Sequence, residues 1–128
     1  MSHVNTLWEI NGKTYELDLE DAETAERYEA AFEQMEKEEK QMPKDGKISV
    51  RIRAYYSLFV NLYDRIFGAG SGKEILGDKP NTRTCNEVYD NLLLFVATQK
   101  QQTLEFQNAI VNKYSPNRAQ RRAAANKK

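Results

Sequence analysis

The sequence predicts an α+β fold that is mainly α: an N-terminal β-hairpin followed by three helices, over about 20–41, 47–67 and 84–114, and a basic C-terminal tail. Three observations predict it. Asn11-Gly12 separates two short segments of alternating apolar residues. Three longer stretches carry apolar residues at spacings of three and four, the period of one helical face. Pro43 with Gly46, Gly68, and Ser115-Pro116 fall where those stretches would have to stop.

The hairpin comes first. Asn-Gly accepts positive φ at both central positions, as a type I′ turn requires. Trp8 and Ile10 fall on one face of the first strand, and Tyr15 and Leu17 on one face of the second. A lone hairpin is marginal, so this one must pack on the helices or extend a neighbour's sheet. Asp18 or Asp21 can cap the first helix, with acids crowding its first turn where the helix dipole favours them. Its apolar line is Ala22, Ala25, Tyr28, Phe32 and Met35; beyond Met35 the run Glu36 to Lys40 offers nothing to bury.

The second helix has the widest apolar face: Ile48, Ile52, Tyr55, Tyr56, Phe59, Leu62, Tyr63, Ile66 and Phe67. Ile48, Val50 and Ile52 also alternate as a strand would, but the longer 3.6-residue period prevails. Gly68 suits the helix end. The stretch from Gly68 to Asn81 reads as a loop. Thr84 and Glu87 then match a capping box opening a third helix. Its apolar line is Val88, Leu92, Phe95, Val96, Phe106 and Ile110, interrupted by the polar stretch Gln99 to Thr103, where weaker packing or an opening to a partner is expected. Residues 1–114 are therefore expected to form one domain, and 115–128, without a large apolar residue, a mobile basic tail.

Charge is sorted along the chain although the net charge is zero. From Glu16 to Lys40 eleven acids face three bases, whereas Lys113 to Lys128 holds six bases and no acid. Such polarity suits steering toward partners rather than chemistry. Cys85 is the single cysteine, which excludes an internal disulfide and fits a reducing compartment. The first residues lack the pattern of a secretory signal, and no stretch is apolar enough to span a membrane, so a cytoplasmic location is expected.

No motif carries catalysis. Gly68 to Glu74 has the look of a phosphate-binding loop, but Glu74 stands where a magnesium-binding hydroxyl belongs, Phe67 replaces the first glycine, and the segment follows a helix rather than a strand. His3 and Cys85 have no neighbours at metal-ligand spacing, and no cofactor is expected. Cys85 near a helix start is read as a partly buried structural thiol, since His3 is the only histidine available as a base. The acids of the first helix are read as a solvated face. Tyr55, Tyr56 and Tyr63 stand beside Arg51, Arg53 and Arg65 in an arrangement that can stack bases, but helical spacing favours core with the hydroxyls reaching the surface. The neutral chain and its acidic helix argue against a dedicated nucleic-acid binder.

Three segments in order, "INGKTYELDLEDAE" (Ile10 to Glu23), "ILGDKPNTRTCNEVYDNLLLFV" (Ile75 to Val96) and "YSPNRAQRRAAANKK" (Tyr114 to Lys128), resemble small tail-assembly chaperones of long-tailed phages and prophages of Gram-positive bacteria. The resemblance implies a non-enzymatic role: binding the long helical tape-measure protein and keeping it soluble until tail-tube subunits polymerise around it. Contact with tail-tube subunits and self-association fit the same reading. Amphipathic helices offer the apolar surface such a client needs. The residues expected to meet it are Tyr55, Tyr56, Phe59, Tyr63 and Phe67, then Phe106 and Ile110; Arg118, Arg121 and Arg122 of the basic tail are expected to bind partners too, giving charge complementarity with the acidic helix of another copy or with tail-tube subunits. The alternative is a phage-encoded regulator or anti-defence inhibitor that occludes a host protein or its nucleic acid.

Overall fold

The computed structural model describes residues 4–114. Two strands and four helices follow one another: β1 (Leu7–Ile10), β2 (Lys13–Glu16), α1 (Ala22–Lys40), α2 (Ile48–Phe67), α3 (Ser71–Leu76) and α4 (Thr82–Tyr114). The fold class and the hairpin are as expected; the described residues hold four helices rather than three, because α3 occupies part of the segment read as a loop.

β1 and β2 pair antiparallel with Trp8 opposite Tyr15 and Ile10 opposite Lys13. Asn11 (φ 52°) and Gly12 (φ 76°) are both left-handed, as a type I′ turn demands. Trp8 and Leu17 are buried, while Leu7, Glu9, Thr14 and Glu16 on the other face are exposed. The ribbon gains its stability from what lies beneath it. The Trp8 indole stacks on Phe67 with ring centroids 5.6 Å apart, and its Nε1–H donates to Asn91 Oδ1 at 2.8 Å. Asn11 donates from Nδ2 to the Ile75 carbonyl at 2.8 Å, so the turn is tied to α3.

Asp21, not Asp18, caps α1: its carboxylate accepts from the Thr24 amide (3.1 Å) and hydroxyl (2.8 Å). Those bonds hold the Asp21 carboxyl below its ordinary pKa. The buried line of α1 is Ala31 and Met35, with Tyr28 and Phe32 half-buried and Ala22 exposed. The polar end of α1 is also engaged: Arg65 of α2 donates to both Glu38 oxygens, at 3.0 and 2.6 Å, which lowers the Glu38 pKa.

α2 is the centre of the fold, packed by α1, α3 and α4. Its first turn is helical yet Ile48 and Val50 are exposed; burial starts near the middle, with Tyr56, Leu58, Phe59, Leu62, Tyr63 and Ile66. Leu58 was not on the predicted stripe; it is buried because α1 covers a second side of the helix. Gly68 ends α2 at φ 112°.

α3 forms because Gly72 lets it lie directly on α2. A Cβ there would stand 2.4 Å from the Val60 carbonyl oxygen. The Gly72 amide donates to Asp64 Oδ1 at 2.7 Å, and Ile75 and Leu76 enter the core. α4 begins two residues before the predicted capping box. Asn81 caps it, accepting from the Thr84 amide at 3.1 Å, so Thr84 lies inside the first turn and Glu87 is exposed. An asparagine side chain caps as well as a threonine's, and the one at Asn81 comes first along the chain.

Candidate functional site

Most of the predicted partner face on α2 is taken up within the fold. Tyr56, Phe59 and Tyr63 are buried, and Tyr55 and Phe67 are half-buried against neighbouring rings. The wide apolar stripe is wide because three other helices and the hairpin must all find contacts on α2; it is the hub of the core. Tyr56 donates its hydroxyl to the Gly77 carbonyl, and Tyr55 donates to Asn86 Oδ1 at 2.6 Å. Tyr63 lies between Trp8 and Phe59, with ring centroids 6.1 and 6.4 Å away, and its hydroxyl has no hydrogen-bond partner among the described residues. Burial raises the pKa of that phenol far above its ordinary value.

Phe106 and Ile110 fall elsewhere. The core-facing line of α4 runs Cys85, Val88, Leu92, Val96 and Gln99, all buried. The same spacing continues through Thr103, Phe106 and Ile110, but burial fades: Phe106 is half-buried and Ile110 is 40% exposed. Leu104 (52% exposed) and Val111 (51%) lie about 130° further round the helix at this end. Leu94 (67%) shares that side of the helix further back, with the polar Gln101 and Asn108 between. The end of α4 is thus apolar on more than one face, which is the pattern of a helix that gets buried rather than one that faces water. Beside its start lies a groove of about 360 Å³ lined by Leu19, Gln99, Thr103, Leu104 and Gln107. Arg118, Arg121 and Arg122 lie outside the described residues, as does the whole predicted tail.

The polar stretch Gln99 to Thr103 does the opposite of what its composition implies. Gln99 is 1% exposed. Its Nε2 donates to the carbonyls of Leu17 (2.7 Å) and Asn5 (3.0 Å), and its Oε1 accepts from the Leu19 amide at 2.7 Å. Gln102 accepts from the Asn5 amide at 2.9 Å, and Thr103 donates to Glu20 Oε1 at 3.0 Å. These residues seat the segments on either side of the hairpin on α4. The signal for them was present as a break in an apolar line, but nothing in spacing alone says that an amide faces backbone groups.

The other candidates settle into structural roles. Cys85 is fully buried, and burial raises its thiol pKa, opposing nucleophilic use. The glycine-rich segment spends its Gly72 amide on Asp64 rather than presenting it to a phosphate. Among the described residues, no group of three or more His, Cys, Asp or Glu is placed to hold a metal, and no helix is long and apolar enough to cross a membrane.

The described residues form a helix-rich module with a pinned hairpin and a last helix whose apolar end is partly exposed. The chain belongs to a family of unknown function (DUF6673), whose model matches residues 11–125. No curated protein and no solved structure matches it.

Proposed function

We propose that this protein is a non-enzymatic binding protein that takes up a long amphipathic helix on the free end of α4, in the manner of a phage tail-assembly chaperone holding its tape-measure client. The observation that carries the reading is the continuation of the α4 core line past the body as Phe106 and Ile110, with Leu104 and Val111 open on another face. A partner helix with apolar residues at matching spacing would cover these positions by helix-on-helix packing. Burying side chains of this size contributes roughly 1.5–3 kcal/mol each before the cost of association, enough for a small set of anchors to hold a client.

Co-expression with the tape-measure protein encoded in the same genome tests this. The client is expected to stay soluble and co-purify. Phe106→Asp with Ile110→Asp is expected to abolish that while leaving the helical circular dichroism intact, because neither residue is sealed in the core. An insoluble client with the wild-type chain, or equal capture by the double variant, would refute the proposal.

A further inference from the structure

A second surface lies away from the α4 end, where α1, α2 and α4 meet. A groove of about 470 Å³ opens there. Its floor includes the buried Phe59, its walls are the half-buried rings of Phe32, Tyr55 and Tyr89, and Glu36 and Glu39 stand at its rim. The rings are close-set: Tyr55 meets Phe59 edge-on at 4.9 Å, Phe59 lies 5.1 Å from Tyr89, and Phe32 lies 6.3 Å from Tyr89. Glu36 has only a loose exposed pairing with Lys40 at 3.8 Å, and the Glu39 carboxylate has no hydrogen bond or ion pair among the described residues. Burial first, and then the charge of Glu39, raises the phenol pKa of Tyr89. The mouth of the groove therefore lies in negative potential. Aromatic faces under carboxylates are the chemistry that holds a guanidinium or ammonium group.

The chain itself supplies such groups. Lys113, Arg118, Arg121, Arg122, Lys127 and Lys128 form an acid-free stretch. Reach limits which of them the same copy can supply. From Tyr89 to Tyr114 α4 covers about 37 Å, at about 1.5 Å per residue. From Tyr114, fully extended chain spans at most about 14 Å to Arg118, 25 Å to Arg121 and 29 Å to Arg122. Only Lys127 and Lys128 have the backbone length to come back to their own groove. We infer that the arginines of residues 118–122 dock in the Phe32, Tyr55, Phe59 and Tyr89 groove of a second copy, under Glu36 and Glu39. Because groove and tail are different surfaces, the contact is heterologous and can continue from copy to copy. It uses none of Leu104, Phe106, Ile110 and Val111, on which the proposed client site rests.

Sedimentation of the full-length chain over a concentration series, at low and high salt, tests this. The wild type is expected to associate with rising concentration, and about tenfold or more weakly at high salt, since the rim charges are exposed. Arg118→Ala/Arg121→Ala/Arg122→Ala and Glu36→Gln/Glu39→Gln, each made in the full chain, are expected to associate at least about tenfold more weakly. Mixed in equal amounts, the two variants should recover pairing, because one keeps the groove and the other keeps the tail. Assembly should then stop at pairs. A wild type that stays monomeric throughout overturns the proposal. So does association retained at full strength by both variants, or a failure of the two to complement.

Discussion

Replacing Gln99 with methionine removes every polar atom of one buried side chain while nearly conserving its volume. Three backbone groups lose their partner: the Leu19 amide and the carbonyls of Asn5 and Leu17. At about 1 kcal/mol net per hydrogen bond, with more where water cannot reach the orphaned group, Gln99→Met should destabilise the protein by about 3 kcal/mol. That is a large share of the 5–15 kcal/mol typical of a domain. Trp8, the single tryptophan, sits on the hairpin that Gln99 anchors, so its fluorescence reports this region directly. With a urea dependence of about 1.5 kcal/mol per molar, the midpoint should fall by about 2 M. Gln102→Met is the matched control: it loses one exposed bond to the Asn5 amide and should cost under about 0.5 kcal/mol. A Gln99→Met midpoint within about 0.3 M of wild type would refute the view that this amide clamps the hairpin to α4.

Three other outcomes follow from the packing. Gly72→Ala should destabilise by about 2–3 kcal/mol, because its Cβ meets the Val60 backbone 2.4 Å away; helix propensity alone would stabilise by about 1 kcal/mol, so the sign in thermal melts separates the two effects. Tyr63→Phe should be neutral or stabilise by about 1 kcal/mol, since the hydroxyl it deletes has no partner among the described residues, and a clear loss in urea titration would show that the hydroxyl is satisfied. The Glu38 carboxyl, whose folded pKa is depressed chiefly by the Arg65 hydrogen bonds, contributes stability that is present at neutral pH and lost as the pH falls below the ordinary glutamate range. The stability gap between wild type and Glu38→Gln should accordingly be about 1 kcal/mol at pH 7 and close at acid pH, and a gap that is flat with pH would count against the ion pair.

Much of the fold was legible residue by residue. Asn11-Gly12 specified the turn because few dipeptides tolerate two left-handed positions in succession. The end of α2 followed from Gly68, and the start of α1 was narrowed to Asp18 or Asp21, of which the structure uses Asp21. The short helix α3 was not legible, because the reason for Gly72 is the Val60 carbonyl of another helix. The same holds for α4, where Asn81 and Thr84 are both competent caps and position along the chain decides between them.

The candidate surface was harder still. Apolar periodicity says which residues share a face; it does not say how many neighbours compete for that face. Tyr55, Tyr56, Phe59, Tyr63 and Phe67 share one, and the hairpin and three helices take up most of it. Phe106 and Ile110 share one too, and cover fades along it from the half-buried Phe106 to the exposed Ile110.

By itself, then, the order of amino acids determined the helical character, the hairpin, the division of charge and the lack of any recognisable catalytic signature, because each depends on contacts a few residues apart or on composition. Which apolar side chains are sealed and which stay open, and that a polar glutamine holds the hairpin in place, was decided only by tertiary structure. Those outcomes depend on segments some eighty residues apart being brought together, and burial is a property of the whole assembly of helices rather than of any one of them.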